Sequence, residues 1–211
     1  YSVTGVQTCA LPILAVGALM MPVLALAGDV VVYGGSAAGV TAAIAARQSG
    51  REVALVAPEK HVGGFAVEGL GGSDVNNHWF RNDEAVGGLA REFYARVGRE
   101  YGVEGPVYRF ESSVAERVYG KMLAEAGVEV RRGERLRRVE KRGARVTAIV
   151  TENGVRFEGK VFVDATIEGD LIAAAGVETT VGREANAKYG ETKNGIRGEN
   201  TYRQFAVRVD P

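Results

Sequence analysis

Six consecutive residues, Gly34-Gly35-Ser36-Ala37-Ala38-Gly39, have the types and spacing to hold a phosphate group. They follow a run of valines and precede an alanine-rich stretch, so they read as a turn from a strand into a helix. A helix N-terminus offers unpaired N–H groups and a partial positive charge, and both suit a diphosphate. The pattern is G-x-S-x-x-G, where the dinucleotide fingerprint is G-x-G-x-x-G. Gly34 permits a tight exit from the strand, and Gly39 lets helix and strand pack closely. Ser36 stands where a glycine normally lets the backbone approach the phosphates, and its hydroxyl can itself donate to a phosphate oxygen. Taken alone, the six residues leave open a plain glycine bend before a helix.

Three further groups lie at intervals that suit the same chemistry. An acidic residue at the end of the second strand usually binds the ribose hydroxyls. That position is Ala57, with Glu59 two residues later, so either Glu59 reaches the ribose or the contact is lost. No arginine replaces the acid, which leaves the 2′-phosphate of NADP without an obvious partner. His61-Val62-Gly63-Gly64 places paired glycines where a backbone can pass close to a large flat ligand, a plain turn being the alternative. Asp164-Ala165-Thr166, followed by Gly169-Asp170, ends a later strand in small residues and an acidic group. Asp170 there can accept hydrogen bonds from sugar-like hydroxyls such as those of a ribityl chain. His61 reads as a structural histidine rather than a catalytic one. Asp74, Asn76, Asn77, His78 and Trp79 form a polar cluster able to face a substrate.

The elements that must position these groups follow from hydrophobic period. Asp29–Tyr33 is a continuous apolar strand of the kind found in sheets covered on both faces. Ala38–Ser49 is a helix with a small face of alanines, stopped by Gly50 at the left-handed cap position. Glu52–Val56 is a second strand, parallel to the first because a helix connects them. Leu89, Phe93 and Val97, spaced by four, predict a helix over Asn82–Tyr101. Ser113–Ala126 predicts another, with Ser113-x-x-Glu116 as a capping box. From Val128 the period changes to two: Val128–Arg131, Arg135–Arg142, Arg145–Thr151 and Val155–Glu158 read as a strand and a meander. Asn153-Gly154 is a hairpin turn signal. Lys160–Asp164 is a separate return strand, and Leu171–Ala175 a short helix closed by Gly176. The fold class is therefore α/β: a Rossmann-like domain with a parallel sheet and an inserted β-meander.

Composition agrees with a folded α/β chain. Of the 211 residues, 46% are hydrophobic and 25% charged, a globular profile. The formal net charge is zero and no long basic run occurs, so there is no electrostatic case for nucleic acid. Val3–Ile13 resembles the translation of a sequencing-library adapter, and no Lys or Arg precedes Arg47. Leu14–Ala27 is an apolar run ending Ala25-Leu26-Ala27, the h-region and cleavage site of a secretory signal without its basic n-region. A buried core helix is the alternative for that run. With Cys9 inside the adapter-like stretch, the protein has no cysteine for a disulfide, a Cys-ligated zinc or an iron–sulfur cluster. No metal site is expected. The expected organisation is 1–13 artefact, 14–27 signal peptide, 28–187 nucleotide-binding domain, and 188–211 linker. The alternating Phe205, Val207 and Val209 in that last segment start a truncated substrate domain. No stable membrane span is expected once the signal is removed.

The series GGSAAG, HVGG, GLGGSD, GGLAREFYARVG, DATIEGDL and AAAGVETTVGREA resembles the FAD-dependent oxidoreductase family of the glutathione-reductase-like flavoproteins, related to the flavin subunit of heterodisulfide reductase. The resemblance covers about Asp29–Ala187 and implies FAD as cofactor. It implies that Gly34, Gly35, Ser36, Ala37, Ala38 and Gly39 hold the diphosphate and that Glu59 or its neighbours approach the ribose. His61, Gly63 and Gly64 would lie along the diphosphate and flavin side. Leu136 would touch adenine through its backbone. Asp164, Ala165 and Thr166 would complete the crevice, with Gly169 and Asp170 nearby. Three residues depart from the family pattern: Ser36 for glycine, Ala57 for the acid, and Phe65 where Met is frequent.

The function expected is the FAD-binding part of an exported oxidoreductase that transfers hydride or electrons at the flavin ring to or from a small-molecule substrate and an unidentified electron acceptor. An NAD-dependent Rossmann dehydrogenase is the competing enzyme. It is disfavoured by the meander before the DAT-type strand and by the missing acid at position 57. A non-catalytic nucleotide-binding module is the alternative from another class.

Overall fold

The computed structural model describes residues 25–75, 83–180, 182 and 184–191. Six strands form one sheet: β1 (Ala25–Tyr33), β2 (Val53–Ala57), β3 (Glu129–Arg132), β4 (Leu136–Arg142), β5 (Arg145–Thr151) and β6 (Arg156–Asp164), in the order β3-β2-β1-β6-β5-β4. β3, β2, β1 and β6 run parallel, and β4 and β5 continue the sheet antiparallel beyond β6. Five helices accompany them: α1 (Ala37–Gln48), α2 (Gly88–Glu100), α3 (Ser112–Ala126), α4 (Asp170–Ala174) and α5 (Asn186–Tyr189).

Strand alternation sorts the valines of β1 between two cores. Val32, with Val53, Leu55 and Ala57 of β2, packs under α1, α2 and α3 against Val40, Ile44, Phe93, Val97, Val118 and Met122. Val31 and Tyr33 point the other way and gather with Val56, Ile149, Phe157 and Leu171. A strand buried on both faces must be apolar throughout, which is why β1 shows no alternation in sequence. Phe93 stacks on Tyr119 with ring centroids 4.1 Å apart, fastening α2 to α3.

Several local features differ from the sequence expectation. Val155–Glu158 and Lys160–Asp164 are not two strands but one, β6. Its first residues pair with both β5 and β1, and the remainder follows β1 alone. Gly159 looks like a break in sequence, but a Cβ there would stand 3.0 Å from a Val31 methyl, so glycine marks a close approach inside a continuous strand. The meander is thereby a continuation of the main sheet. β1 begins at Ala25, and Ala25–Gly28 pairs with Arg156–Gly159. The helix expected over Asn82–Tyr101 is preceded by a 3-10 turn at Asp83–Ala85 and starts at Gly88. Ser113 is not a cap: α3 starts at Ser112 after Glu111, and Glu116 turns away to pair with His61 at 2.8 Å. The Asn153-Gly154 turn holds, with Gly154 at φ +81°. The alternating residues Phe205, Val207 and Val209 lie outside the described residues, as do Asn76, Asn77, His78 and Trp79.

Phe157 has no exposed surface and sits where β6 bridges β1 and the meander. Phe157→Ala is expected to cost about 3–5 kcal/mol, the usual range for emptying an aromatic core site. Urea unfolding of the full-length protein checks it, and a loss below about 1 kcal/mol would show that the meander does not share the core of the parallel strands.

Candidate functional site

The parallel strands all end on one side of the sheet. The order reverses between β1 and β6, and ligands of open α/β sheets bind at such a switch point. The turn after β1 and the loop after β6 meet there at backbone contact. A Cβ on Gly34, which has φ +114°, would lie 2.5 Å from the Ala165 carbonyl carbon and the Thr166 nitrogen. A Cβ on Gly39 would lie 2.1 Å from the Gly34 carbonyl oxygen. Both positions therefore exclude any side chain, and the six-residue turn has its shape because of them.

Ser36 locks this contact. Its hydroxyl donates to the Ala165 carbonyl at 2.6 Å and accepts the Gly39 N–H at 3.2 Å, capping α1. A serine hydroxyl has one proton to give, so the expected donation from Ser36 to a phosphate oxygen is replaced by a tie between β1 and β6. The cap leaves the N–H groups of Ala37 and Ala38 without an acceptor among the described residues, at a helix end with no acid in its first turn. Those two N–H groups and the helix field can hold an anion.

The HVGG segment closes on the turn from the other side. The Gly63 N–H donates to the Gly35 carbonyl at 2.7 Å. A Cβ on Gly64 would approach the Ser36 Cα at 3.1 Å and the Ala37 nitrogen at 3.3 Å, so the backbone of Gly64 lies against the start of α1. Gly63, at φ +135°, is pressed against the Tyr119 ring, 2.6 Å from where its Cβ would be. His61 holds this segment to α3 through Glu116, the structural role that the sequence suggests.

Two clefts flank the turn. One, of about 640 Å³, is lined by Ala37, Ala38 and Gly64, by the aromatic wall of Phe93, Phe110 and Tyr119, and by Phe65 and Asp74. Burial pushes the Tyr119 phenol well above the usual tyrosine range, so it stays protonated. The other, of about 550 Å³, is lined by Tyr33, Pro58 and Leu136 and by the charged residues Glu59, Arg135, Arg137, Glu152 and Asp170. Glu59 bends back so that Oε2 accepts the Gly35 N–H at 3.0 Å. Glu59, two residues beyond Ala57, is thus held against the turn. Asp170 faces the Glu59 side rather than the Gly64 side.

The remaining expected residues serve the loop itself. Asp164 Oδ1 accepts the Thr166 N–H and hydroxyl, and its Oδ2 accepts the Ile172 N–H. The Thr166 hydroxyl accepts the N–H groups of Gly169 and Asp170. These bonds shape the loop after β6 and leave Ala165 and the Thr166 backbone against the turn. Leu136, expected to touch adenine through its backbone, gives its N–H to the Tyr33 phenol at 2.8 Å. Sequence reasoning missed Tyr33 and Tyr119. The period-two pattern places Tyr33 on the face opposite Val32, but no local signal says what its hydroxyl meets.

The glycine cradle, the free N–H pair and the two clefts fit a dinucleotide lying across the strand ends. The FAD dependent oxidoreductase family model matches residues 29–209. The chain belongs to that family. FAD is its cofactor, and the close-packed Gly34, Gly39, Gly63 and Gly64, with the N–H groups of Ala37 and Ala38 free of any acceptor among the described residues, fit its diphosphate. The digeranylgeranylglycerophospholipid reductase 2 of Methanopyrus kandleri is 30% identical over 167 residues, which are 74% of this chain and 39% of the relative. Among solved structures, the L-proline dehydrogenase of P. horikoshii superimposes with a TM-score of 0.56 at 15% identity, covering 76% of this chain and 59% of that one. The flavin-dependent brominase Bmp2 gives 0.55 at 20% identity, covering 75% and 42%. At these identities the structures share the fold. The chain spans less than two thirds of the length of each of these proteins.

Gly39→Val is expected to abolish FAD retention, since its branched side chain would displace the Gly34 carbonyl. The flavin-to-protein absorbance ratio of full-length protein measures this, and an unchanged ratio in a folded variant would remove the turn from the site. Tyr119 gives a second test. Its raised pKa contributes stability below the unfolded-state value of about 10, and this is lost as pH rises towards the folded value. Thermal melts between about pH 9 and 11 should therefore fall more steeply for the parent than for Tyr119→Phe. Equal slopes would mean that the phenol titrates as in an open chain.

Proposed function

We propose that this chain is the FAD-binding part of an exported oxidoreductase that exchanges hydride or electrons with a small-molecule substrate. The observation that carries the reading is the pair of N–H groups on Ala37 and Ala38, without a partner among the described residues, in a turn that admits no Cβ at Gly34 or Gly39 and has a cleft on either side. In this reading Gly34–Gly39 and the Gly63-Gly64 backbone grip the diphosphate. Glu59, with one oxygen held by Gly35, offers the other to the ribose. The aromatic-walled cleft excludes water on the flavin side, and Tyr119 there is a neutral hydrogen-bond donor. Ser36 and Ala165 keep the strand ends in register so that the cradle does not open. When bound, FAD supplies the redox-active ring, and the protein supplies orientation and electrostatics.

Export is inferred from Leu14–Ala27, an apolar run ending in Ala-Leu-Ala. Cleavage after Ala27 would leave Gly28–Tyr33 paired with β6, enough of β1 to keep the switch point intact.

Full-length protein purified from its gene is expected to be yellow and to release FAD on denaturation. A colourless preparation that binds NAD by calorimetry would overturn the flavin reading. The mature protein from cell fractions is expected outside the cytoplasm with Gly28 as its first residue, and cytoplasmic protein retaining Leu14–Ala27 would overturn the export reading.

A further inference from the structure

Tyr33 is the last residue of β1, and only 2% of its surface is exposed. Its phenol oxygen accepts the Leu136 N–H at 2.8 Å, yet its own proton has no acceptor among the described residues. A donor left unused at the wall of a cleft is open to a ligand, because a hydrogen bond made there replaces one to water. Neighbouring carboxylates do not take the proton. Glu59 Oε2 instead accepts from Gly35, both oxygens of Asp164 accept from Thr166 and Ile172, and Asp170 acts on the phenol through its charge. The phenol lines the 550 Å³ cleft, so a ligand there can accept what the protein does not.

The cleft around the phenol has the chemistry of a nucleoside site. Pro58, Leu136 and Ala174 give it apolar surface on which a base can lie. Glu59 is placed for sugar hydroxyls, and Asp170 and Glu152 add two more carboxylates to the same cleft. A phenol donor beside a carboxylate acceptor complements an edge with an acceptor next to an amine. Adenine has that pair at N1 and its exocyclic amino group.

We propose that Tyr33 reads the adenine of the cofactor, donating its phenolic proton to N1 while its oxygen holds the Leu136 N–H. The inference rests on the FAD reading of the cleft. It assigns base recognition to the side chain at the end of β1, with the meander amide one bond removed. The Leu136 amide polarises the phenol, and hydrogen bonds in such a chain strengthen one another. Burial and the charges of Asp170, Glu59 and Asp164 hold the phenol pKa above its ordinary value despite the opposing Leu136 bond, so the donor persists through neutral pH.

The test uses full-length protein stripped of FAD, titrated by calorimetry with ADP, IDP and inorganic diphosphate. Hypoxanthine carries a proton on N1, so the unmodified protein should prefer ADP to IDP by about 10-fold, the scale of one mispaired buried polar group. Tyr33→Phe keeps the ring in the core and removes the hydroxyl. It is expected to weaken ADP by about 5- to 30-fold, to leave inorganic diphosphate within about 2-fold, and to collapse the ADP-to-IDP preference. Unchanged ADP affinity, or an undiminished preference in the variant, overturns the proposal. A parallel loss of ADP and diphosphate also overturns it, because a purely structural role through the turn would act on both. If Tyr33→Phe does not fold, the preference in the unmodified protein decides, and equal ADP and IDP affinities reject the contact. An unmodified protein that binds neither FAD nor ADP would instead fail the FAD reading itself.

Discussion

The structure depends on how closely the ends of β1 and β6 approach each other. Two neighbouring parallel strands deliver their exit loops to one place, and here the loops touch through backbone atoms alone. Gly34 lies so near Ala165 and Thr166 that no side chain fits, and Gly39 is equally close to the Gly34 carbonyl. The Ser36 hydroxyl then bonds the Ala165 carbonyl, so the two loops are held as well as packed. Everything chemically useful follows from that contact. It fixes where α1 begins, which N–H groups it leaves free, and where the clefts open on either side.

The contact is maintained by two cores that share β1. On the helical face, α1 packs on β1 and β2, with the stacked Phe93 and Tyr119 joining α2 to α3 behind Gly63. On the other face, β4, β5 and α4 supply Leu136, Ile149 and Leu171 against Val31 and Tyr33. Each core reaches one cleft: the first contributes Tyr119 and the second Tyr33. Both phenols are thus placed by packing, and burial keeps both protonated. A side chain positioned this way needs no flexible loop to aim it, and that rigidity favours a preorganised site.

Much of the architecture was legible because it rests on local rules. The valine run, the glycine turn and the alanine helix announce a strand, a turn and a helix, and the spacing of Leu89, Phe93 and Val97 marks the buried side of α2. The errors came where a residue answers to a distant partner. Gly159 reads as a break until Val31 is seen pressing on it. Glu116 reads as a capping residue until His61 is found beside it. Ser36 reads as a phosphate donor until Ala165, 129 residues later, is found taking its proton. The turn of the chain after β2, which brings Glu59 to Gly35, is likewise invisible around Ala57 in the sequence.

The sequence by itself determined the fold class, the position of the glycine turn and the family, because these depend on periodicity, glycine placement and the order of motifs along the chain. Tertiary structure decided which polar groups remain available to a ligand. A hydroxyl, a carboxylate and an amide each have few bonds to give, and whether Ser36, Asp164 and Leu136 spend them on the protein depends on neighbours far away in the chain. The same accounting leaves Ala37, Ala38 and the Tyr33 proton unspent. Local sequence encodes where a helix starts, but the unpaired donors in the finished fold are known only after every strand is in register.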